Sequence, residues 1–393
     1  VRTVYVDNNA TTQVAPEVFE AMKPFFRDLY GNPSSMHFKG GETQNALMEA
    51  REEVAALIGA SPDEIVFTSC GTESDNAAIF GTLESYPEKR HIISTRVEHP
   101  AVWTLCKHLE KEGYRVTMLS VDREGRLELD ELRAAISDDT ALVSIMHANN
   151  ETGVIFPLEE IGHVVKSRGV PFHTDAVQAV GKIPLDMKKS TVDMLSFSGH
   201  KLHAPKGIGV LYIRKGTKFS PFLIGGHQEK GRRGGTENIP YIVGLAKACK
   251  LAARHLEEEN NRVRLLRDKL EQGLLERIPD ASVNGDREHR LPNTVSVSFE
   301  YVEGESILLM LSNLGICASS GSACTSGSLE PSHVLRAMGI PFTAAHGSVR
   351  FSLSIYNSEE DIDYILEQLP PIIERLREIS PFWRDYVRAT TEK

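Results

Sequence analysis

The constraint that most narrows the fold is an alternation of two periodicities along the chain. From residue 65 onward, short apolar runs take turns with segments whose apolar residues recur at helical spacing. Ile65-Val66-Phe67-Thr68, His91-Ile92-Ile93-Ser94-Thr95, residues 114–119, residues 170–174 and Asp193-Met194-Leu195-Ser196-Phe197 all read as strands. Ala141-Leu142-Val143-Ser144-Ile145-Met146 is apolar at nearly every position, the pattern of a strand covered on both faces. Strands separated by helices cannot be joined by tight hairpins, so the repeating unit predicts an α/β fold with a mostly parallel sheet flanked by helices.

Ligands of such sheets sit beyond the carboxyl ends of the strands. His99, Asn150, Asp175, Gln178, Ser198, His200 and Lys201 all fall just past expected strand ends, so they should converge on one pocket. Lys201, in Ser198-Gly199-His200-Lys201, stands where burial can depress an amine pKa and suit it to Schiff-base chemistry. The turn Ser69-Cys70-Gly71-Thr72-Glu73 leads from a strand into a helix and offers free N–H groups to a phosphate, or else is an ordinary helix cap. An aldehyde cofactor with a pyridine ring needs an amine, a carboxylate for the ring nitrogen and a phosphate cup. Lys201, Asp175, and Thr72 with Ser198 and His200 fill those roles for pyridoxal phosphate, with His99 placed to stack on the ring and move protons. Singly, each has a plainer explanation: a surface lysine, a helix-capping aspartate, a loop histidine, a turn-forming Asn150. Their agreement in kind and position favours the site.

The 393 residues are enough for two domains, and the charge-dense stretch after residue 254 marks a boundary near 258. The expected division is a large cofactor-binding domain over 16–258 and a smaller α+β domain from 1–15 with 259–393. In the latter, Arg350 should project from a strand, either to grip a substrate carboxylate or to form a structural ion pair. A net charge of −10 argues against nucleic acid or anionic membrane as partner, and no apolar run is long enough to span a bilayer. The opening residues read as a strand rather than a secretion signal, which favours a cytoplasmic protein. Five cysteines without a Cys-x-x-Cys pair make a disulfide framework or a bound metal an unexpected use for them. Cys249 and Cys317 lie among apolar residues and should be buried, whereas Cys324 stands in Ser319-Ser320-Gly321-Ser322-Ala323-Cys324-Thr325-Ser326-Gly327-Ser328. A thiol among such small neighbours suits one that must travel and meet partners.

Tyr5-Val6-Asp7-Asn8-Asn9-Ala10-Thr11-Thr12, Gly31-Asn32-Pro33-Ser34-Ser35, Thr68-Ser69-Cys70-Gly71-Thr72-Glu73-Ser74-Asp75-Asn76, His147-Ala148-Asn149-Asn150-Glu151-Thr152-Gly153, Ser198-Gly199-His200-Lys201 and residues 319–331 occur in this order. With them the chain resembles, over essentially its whole length, the class V, fold-type I pyridoxal-phosphate enzymes and, within these, the NifS/IscS cysteine desulfurases. Gly226-His227-Gln228-Glu229 and Arg232-Arg233-Gly234-Gly235-Thr236-Glu237-Asn238 look closest to the NifS branch, which serves nitrogenase cluster assembly. The resemblance implies that Lys201 holds the cofactor, His99 stacks on its ring, Asp175 pairs with the ring nitrogen and Gln178 contacts the phenolic oxygen. It implies that Gly71, Thr72, Ser198 and His200 bind phosphate, with Thr236 reaching it from the other subunit of a homodimer. Asn150, Arg350 and Asn32 would hold the carboxylate of L-cysteine, and Cys324 would take its sulfur as a persulfide for an iron–sulfur scaffold protein, releasing L-alanine. The rivals are a selenocysteine lyase or other class V activity and, far behind, a cofactor-free scaffold of the same fold.

Cys324→Ala is expected to bind pyridoxal phosphate and L-cysteine as the parent does, yet to release almost no alanine. A persulfide-specific label followed by peptide mapping should find the label on Cys324. Label on Cys70 or Cys317 would contradict the assignment.

Overall fold

The computed structural model describes residues 2–320, 331–381, 383, 384 and 386, so Cys324 lies outside the described residues. Its strands are β1 (Val4–Tyr5), β2 (Ile65–Thr68), β3 (His91–Thr95), β4 (Arg115–Leu119), β5 (Thr140–Ser144), β6 (Phe172–Asp175), β7 (Met194–Ser198), β8 (Gly209–Ile213), β9 (Ala281–Val283), β10 (Thr294–Phe299), β11 (Ile316–Cys317) and β12 (Ser348–Ser352). Seven of them form one sheet in the order β2-β8-β7-β6-β5-β3-β4. All neighbours are parallel except β8, which runs antiparallel to both β2 and β7. The chain thus has the expected α/β architecture, a mostly parallel sheet flanked by helices.

Neighbouring residues of each strand point to opposite faces, and the apolar pairs divide accordingly. Phe67, Ile93, Val143, Leu195 and Val210 join the core beneath the helices Pro16–Met22, Phe38–Leu57, Leu158–Lys166 and Ile239–Glu258. Their neighbours Val66, Ile92, Leu142, Met194 and Leu211 join a second core beneath Gly71–Ser85 and Pro100–Lys111. Two buried faces explain why these strands read as continuous apolar runs.

A third core gathers Val4, Val6, Val295, Val297, Val349 and Phe351 against the helices Arg264–Arg277, Gly304–Asn313 and Glu359–Ile379. Here β12-β10-β9 form an antiparallel sheet, and β1 pairs in parallel with β11. The helices Ile239–Glu258 and Arg264–Arg277 are joined by a π-helical turn at Glu259–Val263, where Glu259 is buried. The short helix Leu129–Ala135 starts from Glu128, and Asp130 in its first turn pairs with Arg133 at 2.5 Å. Cys249 is buried as expected, and burial pushes its thiol pKa up. Cys317 is only half-buried, because β11 is a two-residue strand with one partner.

Four parallel strands, β3, β5, β6 and β7, deliver their carboxyl ends to one edge of the large sheet. At that edge Gly209 opens β8 so close to the Gly71–Ser85 helix that a Cβ on it would lie 2.6 Å from the Cys70 carbonyl carbon. The helix N-terminus is thereby seated directly against the sheet.

Candidate active site

The strand ends, the loop 6–12 and β12 enclose a cavity of about 360 Å³ lined by Lys201, Asp175, Gln178, His99, Asn150 and Arg350 together with Gly71, Thr72, Ser198 and His200. Lys201 closes the single 3₁₀ turn Gly199–Lys201 that follows β7. Its Nζ donates to the carbonyls of Asn9 at 2.5 Å and Ala10 at 2.6 Å, so the amine is aimed at the loop across the cavity.

Asp175 is the last residue of β6, and its Oδ1 accepts the Val177 N–H at 2.9 Å. Burial holds its carboxyl above the usual carboxylate range, opposed by that N–H and by the Lys201 charge. His99 caps the Pro100–Lys111 helix, its Nδ1 accepting the Ala101 N–H at 3.1 Å. Burial first, then Lys201 and His333, depress its pKa to about 4. The ring is therefore neutral at physiological pH, and with Nδ1 occupied as acceptor its proton sits on Nε2.

A phosphate cup requires donors without competing partners. The helix Gly71–Ser85 offers the N–H groups of Gly71 and Thr72, the Glu73 N–H being taken by Cys70 Sγ at 3.4 Å, and a Cβ at Gly71 would come 2.9 Å from Val177 Cγ2. Ser198 Oγ is buried and has no hydrogen-bond partner among the described residues. His200 presents one nitrogen to Thr11 Oγ1 at 3.1 Å, and its pKa is lowered to about 4 by burial and by Lys201 and Lys206. These unspent groups fit the phosphate, and Asp175 and Lys201 fit the ring nitrogen and aldehyde of the expected cofactor. Gln178 donates through Nε2 to the Asn9 carbonyl at 3.0 Å, leaving Oε1 buried and unpartnered among the described residues. Nε2 keeps a second N–H for a further acceptor such as a phenolic oxygen.

Arg350, nearly fully buried on β12, donates from Nη1 to the Asn150 carbonyl at 2.9 Å and from Nη2 to Asp7 Oδ1 at 2.8 Å. The structural ion pair and the cavity-facing position, alternatives from sequence, are both present. Neither Asn32 nor Thr236 lines the cavity of this chain. Each is exposed on an irregular segment, and the Asn32 side chain is turned to the Ser34 N–H at 2.9 Å.

Sequence reasoning missed the acids behind this wall. Asp75 lines the cavity from the first turns of the Gly71–Ser85 helix, and Glu98 lies behind His99, both buried. A charged residue among Ala77, Ala78 and Ile79 on a helix face that must cover a sheet was the available signal for Asp75. Glu98 Oε1 accepts the Thr95 hydroxyl at 2.8 Å and the Met146 N–H at 3.0 Å, while Oε2 has no partner among the described residues. Burial raises its pKa to about 8.

With fold and cavity in place, comparison defines the class: the Aminotransferase class-V family matches residues 4–365, and the chain belongs to it. The relatives it resembles most specifically carry one activity in their names. A cysteine desulfurase of Trichormus azollae is 64% identical over 382 residues, 97% of this chain and 96% of that one. The cysteine desulfurase NifS of Azotobacter vinelandii is 58% identical over 381 residues, 97% of this chain and 95% of that one. Among solved structures, a NifS-like protein superposes with a TM-score of 0.90 at 43% identity, covering 95% of this chain and all (100%) of that one. A structure described as SspA in complex with cysteine gives a TM-score of 0.80 at 38% identity over 91% of this chain and 100% of that one.

Glu98 sets a pH dependence whose sign is fixed. Because its folded pKa lies above the ordinary 4.5, the stability it lends is full below 4.5 and lost as pH rises through about 8. Glu98→Gln keeps an acceptor for Thr95 and Met146 and removes the titration. Its denaturation midpoint should gain on the parent's across that window, whereas parallel curves would show Glu98 ionised in the folded chain.

Proposed function

We propose that this chain is a pyridoxal-phosphate-dependent cysteine desulfurase, which converts L-cysteine to L-alanine and passes the sulfur through Cys324 to an iron–sulfur scaffold protein. The observation that carries the reading is the convergence of Lys201, Asp175 and the N-terminus of the Gly71–Ser85 helix on one cavity. Near-full-length identity to chains named cysteine desulfurase supports the substrate, and the likeness to NifS supports service to nitrogenase clusters.

When bound, pyridoxal phosphate supplies an aldehyde that takes up amines and a protonated ring that draws electrons from the α-carbon of the amine it holds. The chain's residues do the rest. Lys201 would anchor the cofactor through Nζ, Asp175 would pair with the ring nitrogen, His99 would stack on the ring, and Gly71, Thr72, Ser198 and His200 would bind the phosphate. Arg350, with Nε buried and lacking a partner among the described residues, and Asn150 receive the substrate carboxylate. Lys201 Nζ would accept the α-proton of L-cysteine. Cys324 Sγ, as thiolate, bonds to the substrate sulfur as the carbon–sulfur bond breaks, so the sulfur stays on the enzyme as a persulfide. The carbon fragment takes a proton, for which His99 Nε2–H is placed, and leaves as L-alanine.

The reading extends to assembly. Thr236, exposed and apart from the cavity of its own chain, completes the site of a partner in a homodimer. The units 16–258 and 1–15 with 259–393 act as large and small domains, with the substrate held where they meet. Nothing in the reading requires a membrane or nucleic acid, and the cytoplasm is the proposed compartment; among the described residues no helix is long and apolar enough to cross a bilayer.

The purified protein should absorb in the visible range, the band should change on adding L-cysteine, and sulfide and alanine should appear in equal amounts when a reductant is present. Lys201→Ala should lose both the band's parent form and turnover while keeping its secondary structure. A colourless parent protein, or one that turns over L-selenocysteine and leaves L-cysteine intact, would contradict the proposal.

A further inference from the structure

In and behind the cavity wall lie buried acids that the reaction above does not use. Asp75, fully buried, directs Oδ1 toward a space in which it finds no hydrogen-bond partner among the described residues. The nearest group that could carry positive charge is His173 on β6, whose Nε2 lies 3.6 Å away. That ring is engaged on both sides by hydroxyls, Nδ1 with Ser144 Oγ at 2.8 Å and Nε2 with Ser196 Oγ at 2.9 Å. It is fully buried between strands, which drives its pKa to about 3 and leaves it neutral. The Ser196 hydroxyl faces Asp75 as well, and Ser196 is the register partner of Asp175. The other groups that act most strongly on Asp75 are the acids Asp175 and Glu98 and the Cys70 thiol.

Asp75 and Asp175 are buried carboxyls of one cavity, each raising the other's proton affinity, so ionising both is costly. The surroundings decide which one ionises. Asp175 accepts a backbone N–H at 2.9 Å and feels the charge of Lys201. Asp75 has a hydroxyl, a neutral imidazole and further acids. The anion therefore belongs on Asp175 and the proton on Asp75, a division of one pair by environment. We propose that Asp75 holds a proton in the working enzyme and acts as a positioning residue, keeping Asp175 the one anion that faces the cofactor ring. Were Asp75 charged, Asp175 would be driven to bind a proton itself and could no longer hold the ring nitrogen protonated. The inference rests on the proposed cofactor site, but the proton on Asp75 is a property of the chain alone.

Infrared spectroscopy of the full chain as purified, grown with isotopically labelled and with ordinary aspartate, reads an un-ionised aspartic acid as a carbonyl band that carboxylates do not give. The expected result is such a band at neutral pH in the parent protein, abolished in Asp75→Asn. Absence of the band in the parent, which needs no variant to fold, would overturn the inference, as would a band that survives in Asp75→Asn. The visible-band titration gives a second readout that a merely structural role would not move. Because Asn mimics the neutral acid, its midpoint in Asp75→Asn should stay within about threefold in proton affinity, and a displacement of about tenfold or more would mean that a charge had been removed. A chain without a visible band that still shows the labelled aspartic acid would contradict the cofactor assignment and leave the assignment of Asp75 standing.

Discussion

The hydrogen bonds of one buried residue, Asn9, tie the two halves of this molecule together at the place where chemistry is proposed. Its carbonyl accepts Lys201 Nζ at 2.5 Å and Gln178 Nε2 at 3.0 Å, both from the large sheet. Its side chain donates to the Asn150 carbonyl at 3.2 Å and to Thr294 Oγ1 at 2.8 Å, and accepts from Asn293 at 3.1 Å. Its own N–H goes to Ser352 Oγ at 2.9 Å. Strands β10 and β12 are thus joined to the loops after β5, β6 and β7 through a single side chain and its peptide. In a low-dielectric interior such a network fixes geometry because every broken bond leaves a buried group unsatisfied. Arg350 depends on it, since the Asn150 carbonyl that receives Arg350 Nη1 is the same one that receives Asn9.

Charge around this hub is arranged by burial more than by pairing. His99 and His200 are held neutral, with pKa values near about 4. Glu151, next to Asn150, is buried against the Ser332 hydroxyl, and burial lifts its pKa to about 7. The site therefore concentrates few net charges, principally Lys201, Arg350 with its partner Asp7, and Asp175.

Much of this was legible in the chain itself. Continuous apolar strands such as 141–146 announced a sheet buried on both faces, and polar residues past the strand ends announced a shared edge. Those two facts brought Lys201, Asp175, His99, Gln178, Ser198, Asn150 and the Gly71-Thr72 turn to one cavity. What stayed hidden were contacts made across long separations. Asn9 stood in a loop noted as polar, but its partners at 150, 178, 201, 293, 294 and 352 could not be read from neighbours in sequence. The buried acids Asp75 and Glu98 looked like ordinary first-turn and loop residues, because burial belongs to the packed helix and sheet rather than to the residue. The π-turn at Glu259–Val263 was equally invisible, since it inserts one residue's worth of slack without breaking the helical spacing on either side.

The central claim, that these strand ends form an aldehyde-cofactor site whose amine is Lys201, is open to one direct measurement. Reduction of the purified protein with borohydride, followed by proteolysis and mass spectrometry, locates the lysine to which a cofactor is attached. The account predicts a single pyridoxyl-phosphate adduct, on the peptide containing Lys201. An adduct on another lysine, such as the buried Lys182, or no adduct on a protein that desulfurates L-cysteine, would contradict it.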